Sequence, residues 1–151
     1  PWDRHWEEIN FLMENLQSLN QNTLISLHPK MDEKKYKYLE KKYNCNILNE
    51  RLADVLPIAD LFVATYSSTI VWAVLCGIKN VVVDFYGFNL AMYDFLDSVK
   101  KVEIKNSLQS TLEVSLTDKV DFKKDWNVLS RSKVFDGHAI RRYVELFNEN
   151  T

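Results

Sequence analysis

Two short polar clusters, each at the end of an apolar run, carry the side chains best suited to chemistry in this chain. His28-Pro29 closes the run Thr23-Leu24-Ile25-Ser26-Leu27, and Tyr66-Ser67-Ser68-Thr69 follows Leu61-Phe62-Val63-Ala64. An imidazole held at a strand end can hydrogen-bond a phosphate or a pyrimidine, and it can carry a proton near neutral pH. Hydroxyls beside the free N–H groups of a helix start form an uncharged cradle for a monophosphate or diphosphate, without a Walker lysine. Capping is the commonest use of such a Ser/Thr cluster, and capping and binding are compatible. Asp84, closing Val81-Val82-Val83, and Asn89 beyond it could reach a ribose, another sugar hydroxyl or a metal ion; turn formation accounts for them equally well.

These positions make one site only if the elements carrying them end on one edge. Trp2, Trp6, Ile9, Met13 and Leu16 alternate steps of four and three, the spacing of a buried helix stripe, so the chain is expected to open with a docked helix. Strands are expected at Thr23–His28, Cys45–Leu48, Leu61–Ala64, Asn80–Phe85 and Lys101–Ile104. Three consecutive valines make the fourth the clearest, because β-branched residues favour extended chain and suit burial on both faces. Helices are expected from an Asp32 cap to about Tyr43, briefly around Pro57, from Ser67 or Ser68 to a C-terminal cap at Gly77, from Leu90 to Ser98, and after Asn106 or Ser107. A less specified helix spans Asp121–Lys133, and a closing one carries Ile140, Tyr143, Val144 and Phe147. The alternation predicts an α/β fold: a Rossmann-like, mostly parallel sheet of about five strands with helices on both faces, residues 1–151 forming a single domain. In such sheets the strand carboxyl ends share one edge, where loops and helix starts make an anion-binding crevice.

Composition removes several other functions. Nineteen Lys plus Arg against 21 Asp plus Glu leave a net charge of −2, so no global field draws the chain to nucleic acid or an acidic membrane. The lysines from Lys34 to Lys42 interleave with Glu33 and Glu40, while Tyr36, Leu39 and Tyr43 keep helical spacing, the pattern of a solvated helix face. With three glycines in the whole chain, the Gly-rich fingerprints for dinucleotides and nucleoside triphosphates are missing. Cys45 and Cys76 lack metal-site spacing and are expected to be reduced, buried thiols of a cytosolic protein. No His, Cys, Asp and Glu arrangement has zinc spacing and no serine sits in a nucleophile elbow, so no metal or other cofactor is expected. No apolar run approaches the roughly 18 residues of a membrane span. His5 and His138, near helix starts, are expected to be surface or capping residues. Tyr86, Phe88, Tyr93 and Phe95 would suit a non-catalytic interaction domain if exposed, although packing a helix onto the sheet is their plainer role.

Taken together, Leu27-His28-Pro29, the stretch Asp54 to Asp60 leading into Leu61 to Thr69, and Val82-Val83-Asp84-Phe85 resemble the C-terminal, donor-binding half of GT-B glycosyltransferases. The resemblance is to the group that includes CDP-glycerol glycerophosphotransferases and bacterial capsule sialyl- and polysialyltransferases, in which an HP motif and a Ser/Thr-rich motif bind the donor nucleotide. Asp136-Gly137 before an Arg-containing helix resembles the group's late DG element, and the similarity runs from Thr23 to Phe147. It implies a nucleotide-activated sugar or polyol, linked to CMP, CDP or UDP, as substrate. His28 and Pro29 would meet the nucleotide or its phosphate, Tyr66, Ser67, Ser68 and Thr69 would hold the phosphate, and His28 would be the catalytic candidate, stabilising the leaving phosphate. It also implies an N-terminal acceptor domain outside these residues, without which the donor half would not transfer. The setting it implies is bacterial surface-polysaccharide biosynthesis, in the cytoplasm and, for the full-length protein, at the inner membrane face. Pro1-Trp2 and Arg4 resemble the tail of the loop after that family's first C-domain strand, which the chain would lack. A UDP-N-acetylglucosamine 2-epimerase-like enzyme shares the fold and donor edge, but Tyr66 and the hydroxyls stand where that family typically has an aspartate, a serine and a glycine.

Overall fold

A computed structural model describes residues 2–88, 90–103 and 105–131. Asn89, His138, the Asp136-Gly137 element and the closing helix expected around Ile140–Phe147 lie outside the described residues. The first helix, α1 (His5–Ser18), follows a 3-10 turn at Trp2–Arg4. β1 (Thr23–Ile25) and β2 (Cys45–Ile47) pair in parallel, with Ile25 opposite Ile47. β3 (Leu61–Ala64), β4 (Lys79–Val83) and β5 (Val99–Val102) form a second parallel sheet in that order, with Val63 opposite Val81 and Val83 opposite Val102. The fold is therefore α/β, and among the described residues five strands stand in two sheets of two and three, not in the single sheet expected.

The connections are shorter and tighter than the periodicity suggests. The expected helix from Asp32 to Tyr43 is a 3-10 turn at Glu33–Lys35, with the Asp32 carboxylate accepting from Lys34 N, followed by α2 (Tyr38–Lys42). Bonds spanning three residues, from Tyr36 N to Glu33 O and Leu39 N to Tyr36 O, replace the four-residue ladder, and both Tyr36 and Leu39 are buried. A 3-10 turn at Leu90–Tyr93 likewise stands where a helix to Ser98 was expected. There the Asp97 and Ser98 amides donate to the buried Asp125 carboxylate instead of to the preceding turn. α3 (Leu52–Val55) runs into a 3-10 turn holding Pro57, and α4 (Thr69–Leu75) ends at Gly77, whose φ of 73° is the left-handed C-terminal cap that glycine permits. α5 (Leu108–Thr117) and α6 (Lys123–Arg131) complete the described chain. Cys45 is buried as expected, but Cys76 is exposed, because it caps α4 beyond the helix's packed stripe.

Side-chain packing fixes which face each helix covers. On one face of the three-stranded sheet, Val82 packs with Ile70 and Val74 of α4 and with Leu90, Tyr93 and Leu129. On the other face Val81, Val83 and Val102 meet Leu108 and Leu112 of α5, Phe11, Leu12 and Leu16 of α1, and Leu19, which caps α1. The neighbouring stripe of α1, Ile9, Met13 and again Leu16, packs with Ile25 and Ile47 of the two-stranded sheet and with Leu39 and Tyr43 around α2. α1 thus lies over both sheets, beside α5, while α2 covers β2.

The amino end of α1 touches Phe85, just past β4, and Tyr36, in the connection from β1 to β2. α2 joins β1 to β2 on the α1 face, whereas α4 joins β3 to β4 on the opposite face of its own sheet. Among the described residues no strand of one sheet pairs with a strand of the other, and α1 packs on both.

Candidate functional site

The loops after β1 and β3 carry the two sequence clusters, each at the carboxyl end of its parallel strand. His28 is exposed, and its Nδ1 accepts a hydrogen bond from Lys30 N at 3.2 Å, while Met31 N donates to His28 O at 2.8 Å. That bond assigns the neutral ring's proton to Nε2, leaving one donor outside the turn. Pro29, also exposed, sits within this turn.

The second loop is partly committed to its own structure. Ser67 N donates to Tyr93 Oη at 3.1 Å, Tyr93 Oη lies 3.3 Å from Ser67 O, and Ser67 Oγ accepts from Thr69 N at 3.2 Å. Two of the amides expected to cradle a phosphate are therefore occupied, because Tyr93, buried in the core beneath, anchors the loop. Ser68 is exposed and its side chain makes no capping bond, so its hydroxyl and N–H are among the donors the loop offers. Asp84 Oδ1 accepts from Phe88 N at 2.8 Å, so this carboxylate shapes the 84–88 turn, with Gly87 at a φ of 71°. The consequence lies at Phe88: its ring, 45% exposed, lies 6.2 Å from that of Tyr66, 61% exposed, and 5.6 Å from that of Tyr86. Tyr93 and Phe95, grouped with these by sequence, part company: Tyr93 is buried and Phe95 is exposed.

A network at the start of α1 extends this edge. His5 is half-buried rather than a surface cap, with Nε2 2.9 Å from Tyr36 Oη and Nδ1 3.3 Å from Tyr86 Oη. Burial lowers the pKa of the imidazole and raises those of both phenols, Glu8 adding to the rise at Tyr86. Glu8, 2% exposed, pairs with Arg4 at 3.2 Å and with Lys105 at 2.5 Å. Rings and hydroxyls thus run from Tyr36 through His5, Tyr86 and Phe88 to Tyr66. The sequence offers no signal for this run, since Tyr36 and Tyr86 lie 31 and 81 positions from His5.

No hydrogen bond, ion pair or ring contact among the described residues joins His28 to the 66–69 or 84–88 loops. What they share is a place just past the carboxyl end of a parallel strand. The described residues hold no cluster of His, Cys, Asp and Glu suited to a metal ion, and no described helix is long and apolar enough to cross a membrane. At the opposite, amino edge, a depression lined by Gln21, Asp60, Lys79 and Thr117 has its lysine bonded to Leu116 O at 2.6 Å. That makes the carboxyl edge, with its exposed imidazole, hydroxyl and rings, the better-equipped surface. Comparison with protein-family models, with curated proteins and with solved structures finds no match to this chain.

Proposed function

We propose that this chain binds the nucleotide part of a CMP-, CDP- or UDP-linked sugar or polyol, as the donor half of a GT-B-type glycosyl- or glycerophosphotransferase of surface-polysaccharide synthesis. The observation that supports the proposal is that the loops bearing His28 and Tyr66 to Thr69 each follow the carboxyl end of a parallel strand, with His28 and Ser68 exposed there. In this reading His28 donates from Nε2 to a phosphate oxygen, and the Ser68 hydroxyl and amide donate to the same group. The exposed Tyr66 and Phe88 rings offer a stacking face for the base. The leaving phosphate gains negative charge as the sugar or polyol departs, and fixed donors at that position stabilise it. The acceptor, and the domain that would hold it, are part of the proposal.

Titration calorimetry of this chain with CMP, CDP and UDP tests the reading. At least one is expected to bind. His28→Ala and Ser68→Ala are each expected to weaken it by about tenfold, the value of one hydrogen bond to a charged group, and Tyr66→Ala by a similar factor through lost stacking. Binding of none of the three, or binding indifferent to all three substitutions, overturns the assignment. Conversion of UDP-N-acetylglucosamine to its 2-epimer would replace it with the epimerase reading.

A further inference from the structure

The first turn of α1 bonds to two loops that belong to different sheets. His5 Nε2 lies 2.9 Å from Tyr36 Oη, and its Nδ1 lies 3.3 Å from Tyr86 Oη. Tyr36 stands in the connection from β1 to β2, which also carries His28, and it packs in the apolar cluster of the two-stranded sheet. Tyr86 stands in the 84–88 turn that follows β4 of the three-stranded sheet. One imidazole therefore joins a loop of one sheet to a loop of the other.

Short-range bonds hold each half of this bridge. From His28 to Tyr36 the chain runs through successive closed turns: Met31 N donates to His28 O at 2.8 Å, Lys35 N to Asp32 O at 3.0 Å and Tyr36 N to Glu33 O at 2.9 Å. Trp6, the next residue of α1, packs its ring 5.0 Å from that of Tyr36. On the other half Phe88 N donates to Asp84 Oδ1 at 2.8 Å, and the Phe88 ring meets those of Tyr86 and Tyr66 at 5.6 and 6.2 Å. Arg4 donates to Phe85 O at 3.5 Å, which ties the start of α1 to the same turn. A shift at His5 is thus passed to the His28 loop on one side and to the exposed rings on the other.

We propose that His5 is a positioning residue: it sets the spacing between the His28 loop and the Tyr66–Phe88 rings, and uptake of a proton by its ring releases that spacing. A neutral imidazole offers one N–H and one lone pair, so one tyrosine hydroxyl accepts from the ring while the other donates to it. The imidazolium donates from both nitrogens, and the hydroxyl that donated must turn its hydrogen away. The surroundings favour the neutral ring. Burial lowers its pKa below the ordinary 6.5. On α1 itself, Glu8 would favour the imidazolium, but its carboxylate is paired with Arg4 and with Lys105; facing the ring from the β1–β2 connection and from the 84–88 turn are the Tyr36 and Tyr86 phenols. The bridge is closed at neutral pH and opens as pH falls through the folded-state pKa. The spacing needs no nucleotide, whereas its effect on affinity rests on the donor-binding reading.

Two measurements test this. Nitroxide labels on Lys30→Cys and Ser68→Cys, in a chain whose exposed cysteine is removed by Cys76→Ser, read the spacing by electron–electron double resonance at pH 7.5 and 5.5. The distance distribution is expected to shift or broaden at pH 5.5, and to stay the same with His5→Gln, whose amide keeps donors and an acceptor but takes up no proton. An unchanged distribution, or an equal change with His5→Gln, overturns the proposal. Calorimetry of the unlabelled chains with CMP, CDP and UDP over the same range reads the consequence. The native chain is expected to lose at least about threefold more affinity than His5→Gln, within the ceiling of about tenfold per pH unit that one proton allows. Titration of the ligand phosphate and of His28 is common to both chains and cancels in the comparison. Parallel profiles overturn the role of His5 in binding; absence of nucleotide binding at pH 7.5 overturns the donor reading alone, and the labels then decide the spacing.

Discussion

His5 illustrates how burial turns an ordinary residue into a determinant of pH response. Its ring lies between the Tyr36 and Tyr86 hydroxyls, and desolvation lowers its pKa below the ordinary value near 6.5. The unfolded chain therefore takes up a proton at a higher pH than the folded one. The stabilising contribution of the neutral ring is full above about pH 6.5 and falls as pH drops below it, with a slope limited to about 1.4 kcal/mol per pH unit for one proton. Urea midpoints measured from pH 7.5 down to 5.5 are expected to fall more steeply for the native chain than for His5→Gln, which cannot protonate. Parallel profiles for the two would remove His5 from this role. His28, by contrast, is exposed and hydrogen-bonded within its own turn. The surroundings that separate the two histidines come from residues far along the chain.

Among the elements, those set by local chemistry are the ones legible in the sequence. β3 occupies Leu61–Ala64 as expected, the valine run forms the buried β4, and Gly77 closes α4. What sequence missed depends on distant partners. α1 has a second apolar stripe, Phe11 and Leu12, continued by its C-cap Leu19, beside the expected one, and its use follows only from a second sheet being present. The helix expected to reach Ser98 stops at Tyr93 because Asp125, on α6, captures the Asp97 and Ser98 amides at 2.8 Å each. That carboxylate is 1% exposed and fixes the approach to β5. Asp125→Ala is expected to cost about 3 kcal/mol in denaturant unfolding, since it strips a charged acceptor from two amides, one of them buried. Asp125→Asn, which keeps one acceptor oxygen, should lie between; a loss under about 0.5 kcal/mol for the alanine variant would mean that α6 does not hold this turn.

For the whole molecule, the division into two sheets was hidden because periodicity marks which residues are extended but not which strands pair. The two-stranded sheet has three paired positions, and among the described residues its apolar side packs on Ile9, Met13 and Leu16 of α1 and on Leu39 and Tyr43 around α2. The three-stranded sheet is covered on both faces. Regions with few buried apolar contacts open at lower free energy than the global transition. Native-state amide exchange should therefore show Ile25 and Asn46 opening before Val82 and Val83, in a step that leaves the larger sheet protected. Leu16 is the side chain shared by the two apolar clusters that meet on α1. Leu16→Ala is expected to remove about 1 to 2 kcal/mol, less than for a fully buried leucine, and to widen the gap between the two exchange classes. If the variant lowers protection equally across both sheets, they unfold as one unit, and the coupling must run through contacts other than α1. If the gap widens, α1 is the hinge on which the two halves of the carboxyl edge are aligned, so the spacing between the His28 and Ser68 loops is set from beneath the sheets.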